Sequence, residues 1–172
     1  MTVAATSYEA QVSAAVLNML AASTTFLAVT GAASAAAARS YLIEDDGGQI
    51  TQGKACDGAA LNTALPYFVV RTGPLRRVDR AFNTYGAEGE VGILGVLTRI
   101  GSESDTDALR RARNAQGSIR AEFEAMFGTT VNGAAALVAG RFDAPPPEIT
   151  DTTGPLRGRI YLFLDLAWRD LP

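Results

Sequence analysis

One stretch constrains the fold more than any other. From Arg159 to Arg169 the chain alternates strictly. Ile160, Leu162, Leu164, Leu166 and Trp168 fall on one side of an extended chain, and Tyr161, Phe163, Asp165, Ala167 and Arg169 on the other. A strand whose one face is wholly apolar must bury that face, and a slip of one residue would expose all of it. The expectation is a sheet packed on a second layer, with the first set lining the core. The second set mixes aromatic with charged residues and reads as a partner surface. Two further runs suit the same sheet. Leu65-Pro66-Tyr67-Phe68-Val69-Val70-Arg71 places proline at the strand start, where its missing N–H does least harm, and Gly73-Pro74 ends it. Glu90 to Arg99 is the other.

The second layer is legible as two helices. Thr6 and Glu9 have capping-box spacing, and Val12, Ala15, Val16, Met19 and Leu20 recur on one face, which predicts a helix from about Ser7 to Ala22. Ser104 and Asp107 cap a second helix, with Asp105 near the positive end of its dipole. Its stripe is Leu109, Ala112, Gln116, Ile119, Phe123 and Met126, broken by the amide of Gln116, and Gly128 suits a C-cap. Arg110, Arg111, Arg113 and Arg120 take the opposite side as a solvated face. The alanine-rich run from Gly31 to Arg39 reads as a short helix or a close-packed segment. Glu44-Asp45-Asp46-Gly47-Gly48 reads as a solvated hairpin turn, because the alternating acids and closing glutamate of a calcium loop are absent. An extended loop is expected over about 44–64, and Ala144-Pro145-Pro146-Pro147 opens a proline-rich linker over about 144–155. The fold class is α+β: an antiparallel sheet packed against two main helices, in a single domain spanning 1–172.

Composition narrows the chemistry. Histidine is absent, which removes the commonest general base and metal ligand, and Cys56 stands alone, so an intrachain disulfide or a cysteine zinc cluster cannot form. The net charge of −3 gives no case for general DNA binding. Of the 15 basic residues only Lys54 is lysine; coding bias is the favoured account of the excess, and the sharper alternative is that arginine's planar fork suits protein interfaces. Gly86, Gly89 and Gly92 precede a strand and do not join strand to helix, so they are no dinucleotide fingerprint. No G-x-S-x-G elbow occurs, and Glu88 and Glu90 read as solvated charge. No residue is assigned to catalysis, cofactor binding or a metal, and an enzyme is not expected. The N-terminus lacks a charged leader region, and Phe26 to Ala38 is short and interrupted, so a cytoplasmic origin is expected.

The order of parts is an early amphipathic helix, the Leu-Pro-Tyr-Phe-Val-Val strand, the strand of Glu90-Val91-Gly92-Ile93-Leu94, a long capped helix, and the closing strand of Gly158-Arg159-Ile160-Tyr161-Leu162-Phe163. This order resembles the tail terminator (tail completion) family of long-tailed bacteriophages and gene-transfer particles. The resemblance implies a virion protein that forms a homohexameric ring at the head–tail neck and meets tail-tube and connector proteins. Genome DNA would pass through it without specific binding, and no cofactor would be needed. A head–tail adaptor or stopper, a tail tube subunit, and a small-ligand-binding α+β domain are the alternatives. A ring subunit needs heterologous contacts that close. The candidate interface residues are Arg76, Arg77 and Arg80, set against Glu44, Asp45 and Asp46 of a neighbour, together with Tyr161 and Phe163.

Overall fold

A computed structural model describes residues 8–46, 64–73, 76–79, 85–127, 139–150 and 158–169. The helical layer is α1 (Tyr8–Ala22), α2 (Thr24–Thr30), α3 (Ala35–Ala38) and α4 (Asp105–Met126), with a 3-10 turn over Arg39–Tyr41. The strands are β1 (Leu42–Asp46), β2 (Tyr67–Thr72), β3 (Arg76–Asp79), β4 (Tyr85–Leu97), β5 (Ala139–Asp143), β6 (Glu148–Ile149) and β7 (Ile160–Arg169). They form one sheet in the order β1-β2-β4-β7-β5, with β3 also on β4 and β6 also on β7.

The α+β class holds, but the sheet is mixed and not wholly antiparallel, because β1 runs parallel to β2. A parallel pair needs a crossover of a dozen or more residues, and the chain between Asp46 and Tyr67 is long enough to make one. The expected hairpin turn at Glu44-Asp45-Asp46 is therefore corrected: these residues end an edge strand, with Asp45 opposite Arg71. Residues 44–46 of the expected extended loop are strand instead, and residues 47–63 lie outside the described ones. The linker expected over 144–155 is corrected in part. Once past the three prolines, Glu148 and Ile149 can donate again, and they pair with Tyr161 and Ile160.

The core lies between the helices and one face of the sheet. Ile160, Leu162, Leu164 and Leu166 are all fully buried in it, as the alternation predicts; the side chain of Trp168 lies outside the described residues. On α4 the buried stripe is Ala108, Ala112, Ala115, Gln116, Ile119 and Phe123, so it is rotated by one position from the expected one at its start, and Leu109 and Met126 sit at its edge. Alanine at three of these positions lets α4 lie close on β7. On α1 the buried set includes Val12, Ala15, Val16, Met19 and Leu20, but also Ser13, Leu17, Asn18 and Ala21. A helix buried on nearly every side belongs inside a layer, and α1 lies on β2 with α2, α3 and α4 around it. The alanines answer the question left by their sequence: Ala38 is buried, and small side chains let α3 approach α1. No single helix among the described residues is long and apolar enough to cross a membrane; α1 and α2 reach that composition only together, bent by 73°.

The short helix α2 was invisible to pattern reading, because threonine, phenylalanine and valine are poor helix formers. Its ends carry it. Ser23 Oγ accepts from the amide of Phe26 at 3.0 Å, and Gly31 closes it at φ 72°. From across the layer, Glu122 Oε1 on α4 accepts from Thr24 Oγ1 at 2.8 Å, Thr25 Oγ1 at 2.7 Å and Thr25 N at 3.2 Å. Burial by itself would raise the Glu122 carboxyl, but hydrogen bonds from Ser23, Thr25 and Thr24 outweigh it and hold the group below the ordinary glutamate range. A lowered carboxylate stabilises the fold above its unfolded-state range, and the contribution is lost as pH falls through the folded value. Glu122→Ala should therefore cost about 1 kcal/mol at neutral pH, typical of a lost cap. In urea melts across acid pH, the gap between wild type and Glu122→Ala should close as the carboxylate protonates. A gap independent of pH would show that packing, and not the charge, is what α2 loses.

Candidate functional site

The second face of the sheet carries no described helix, and the pleat sorts its side chains into transverse rows. At one end, Tyr67, Val96 and Tyr161 face each other in register, and the next row is Ile43, Val69, Leu94 and Phe163. These form a second apolar cluster, separate from the main core, in which Tyr67, Val69, Val96 and Tyr161 are buried while Ile43, Leu94 and Phe163 are half-buried. The third row crosses five strands: Asp45, Arg71, Gly92, Asp165 and Asp143. Glu90 stands two residues further along β4. The face thus grades from apolar to charged over roughly 13 Å, two steps of two residues separating the first row from the third.

At the charged end the surface opens into a cleft of about 620 Å³, lined by Arg71, Gly73, Glu90, Gly92, Asp143 and Asp165 among others. A smaller hollow of about 210 Å³ adjoins it, lined by Val69, Arg71, Gly92, Leu94, Phe163 and Asp165 among others. Gly92 is what opens both. It sits in the middle of the third row, and a Cβ there would already meet Asp165 Oδ1 at 3.4 Å. Arg71 is the one cation of the row, and its Nε donates to Asp45 Oδ2 at 2.8 Å. Asp45 is almost wholly buried and Arg71 is half-open, so the pair neutralises Asp45 while leaving part of the guanidinium at the cleft wall. Among the described residues no ion pair is formed by Asp165. Partial burial, then the negative charges of Asp143 and Glu90, hold its carboxyl above the ordinary aspartate range. The cleft therefore favours a cationic visitor, and its neighbouring hollow favours an apolar one. Among the described residues no group of three or more His, Cys, Asp or Glu could hold a metal ion.

The candidate interface residues fall in different places. Tyr161 is buried in the second cluster and Phe163 is at its rim, so they do share a face. Glu44 does not join Asp45: it points to the other side of the sheet and accepts a short hydrogen bond from Ser13 Oγ of α1. Strand geometry, not charge, separates the two acids. Arg76 and Arg77 lie on β3, opposite Glu88 and Ala87, but their side chains, that of Asp46, and the whole of Arg80 lie outside the described residues. Sequence reasoning passed over Arg71, Gly92 and Asp143, because only strand register brings them into one row with Asp165. The sequence signal was the interruption of an apolar strand by Gly92 at an outward position. Compared with known proteins, the chain matches no family model and no curated relative.

Proposed function

We propose that this chain is a structural subunit that works by contact: a tail terminator ring subunit at the head–tail neck of a tailed phage-like particle, made in the bacterial cytoplasm. The observation that carries the contact reading is the second sheet face, graded from a buried apolar cluster with a half-buried edge at Ile43, Leu94 and Phe163 to an acidic cleft. The half-buried edge beside the charged cleft gives docking an apolar contact next to polar groups. The placement in a phage neck rests on the order of sequence elements alone. A head–tail adaptor, a stopper or a tail tube subunit would use the same kind of surface. One observation favours a second reading, a small-ligand-binding domain: the cleft is of a size that holds small molecules.

Native mass measurement of the purified protein over a wide concentration range separates the two. The ring reading expects a discrete closed species, about six copies by the resemblance, growing at the expense of monomer. A chain that remains monomeric throughout, and is stabilised against heat by small cations or metabolites, would discard the ring in favour of the ligand-binding domain.

A further inference from the structure

In the third row of the second sheet face, a residue without a side chain stands between two of opposite charge. Arg71 on β2, Gly92 on β4 and Asp165 on β7 are in register. Neighbouring strands lie about 4.8 Å apart, so the backbones of Arg71 and Asp165 are roughly 10 Å apart with bare backbone between them. The Asp165 carboxylate leans over that gap: its Oδ1 lies 3.4 Å from where a Cβ on Gly92 would stand. Among the described residues nothing else comes within 4 Å of that point, apart from Gly92 and its chain neighbours. Arg71, Gly92 and Asp165 line both the 620 Å³ cleft and the 210 Å³ hollow, so the gap is where the two join. An interior glycine weakens a strand, and here it is turned away from the core; what it provides is close approach to the backbone.

Three different contacts surround the gap. On the β2 side is Arg71, whose Nε serves Asp45; a guanidinium has five donors, enough for a second carboxylate beside the first. On the β7 side Asp143 and Glu90 act on Asp165 with like charge, and an ammonium group there would relieve the repulsion. Two residues along the strands, roughly 7 Å away, Val69, Leu94 and Phe163 wall the hollow. An acidic cleft alone would take any cation. A guanidinium on the facing wall selects a cation that also carries a negative charge, and the hollow selects an apolar group beside both. A carboxylate, an ammonium and an apolar group on one carbon atom are the substituents of an α-amino acid, and the space over Gly92 suits that carbon.

We propose that cleft and hollow together bind a zwitterionic α-amino acid with an aliphatic side chain, its carboxylate at Arg71, its ammonium at Asp165, and its side chain against Val69, Leu94 and Phe163. The proposal deepens the small-ligand reading of the cleft and requires no particular oligomeric state. Calorimetric titration with L-leucine, with leucinol, which lacks the carboxylate, and with isocaproate, which lacks the ammonium, tests it. L-leucine should bind saturably, and each analogue about tenfold more weakly or worse. Gly92→Val closes the gap with a residue that suits a strand, so its melting temperature should match or exceed that of wild type while leucine binding is lost. Asp165→Asn, at an exposed position, gives a second variant and should weaken leucine by about tenfold. Leucinol binding as tightly as leucine overturns the zwitterion and leaves the cleft a site for cations. Leucine binding that survives in both variants places the ligand elsewhere and overturns this site. Absence of saturable leucine binding to wild type overturns the proposal, and the small-ligand reading falls with it only if a wider set of cations and metabolites also fails to stabilise the protein against heat.

Discussion

Placing a methyl group at position 95 should unsettle the sheet–helix joint more than most substitutions in this chain. Gly95 is a strand residue on the core face of β4, in register with Phe68 on β2. A Cβ built there would lie 2.6 Å from the Phe68 ring at Cε1 and 2.9 Å from Cζ, closer than carbon atoms approach. The ring cannot easily retreat. Phe68 is fully buried, and its other side meets Phe26 of α2 edge-on, with centroids 4.8 Å apart at 72°. Gly95→Ala must therefore push Phe68 into Phe26, or shift β4, at a cost of about 1–3 kcal/mol for overpacking. Phe68→Ala removes the same ring and should cost about 3–5 kcal/mol through the cavity it leaves. The pair should not be additive. Combining Gly95→Ala with Phe68→Leu should cost less than the sum of the two, because the smaller side chain makes room for the methyl group. Denaturant melts of the two singles and the double decide it. Strict additivity would mean that Phe68 already has slack.

The second large effect belongs to a polar residue inside the apolar stripe. Gln116 is 4% exposed, and its Nε2 donates to the carbonyls of Pro145, at 2.8 Å, and Phe163, at 2.5 Å. The reason lies in the sheet. The outer edge of β7 pairs with β5 from Asp165 onward and with β6 at Ile160 and Tyr161. Between the two, the connecting chain runs through Pro145, Pro146 and Pro147, which have no N–H to give. The carbonyl of Phe163 is left to find a donor elsewhere, and α4 supplies one. Gln116→Leu keeps the volume and removes the donor, so it should cost about 1–3 kcal/mol, the usual penalty for an unsatisfied buried carbonyl. Gln116→Glu should be worse at neutral pH, because a carboxylate would face two carbonyl oxygens. That new carboxyl would be raised in the folded state. Its variant should therefore be most stable at low pH, where the protonated acid can donate, and lose stability as pH rises through the folded value. Melts of both variants from acid to neutral pH test this. A Gln116→Glu protein as stable as wild type at neutral pH would show that the amide is dispensable.

Both sites mark the line between what the chain's pattern determines and what its packing decides. Period-two alternation specified β7 and its buried face, since nothing but an extended chain presents Ile160, Leu162, Leu164 and Leu166 together. Capping chemistry and three-four spacing specified α1 and α4, with Ser104 Oγ accepting from the amide of Asp107 as the motif requires. These signals are local, so they survive in a bare sequence. Gln116 and Gly95 could be noticed there, one as a break in a stripe and the other as a gap in a strand. Their partners are 29 to 47 residues and 27 residues away, at distances where no periodicity operates. The short helix α2 depends on Glu122, 97 residues distant, for a cap. The extended geometry of β1 turned Glu44 and Asp45 to opposite sides of the sheet, where the sequence offered three adjacent acids as one turn. The row of Asp45, Arg71, Gly92, Asp165 and Asp143 is the clearest case. Each residue is ordinary in its own strand, and register alone, set by burial of the opposite face, makes them one surface.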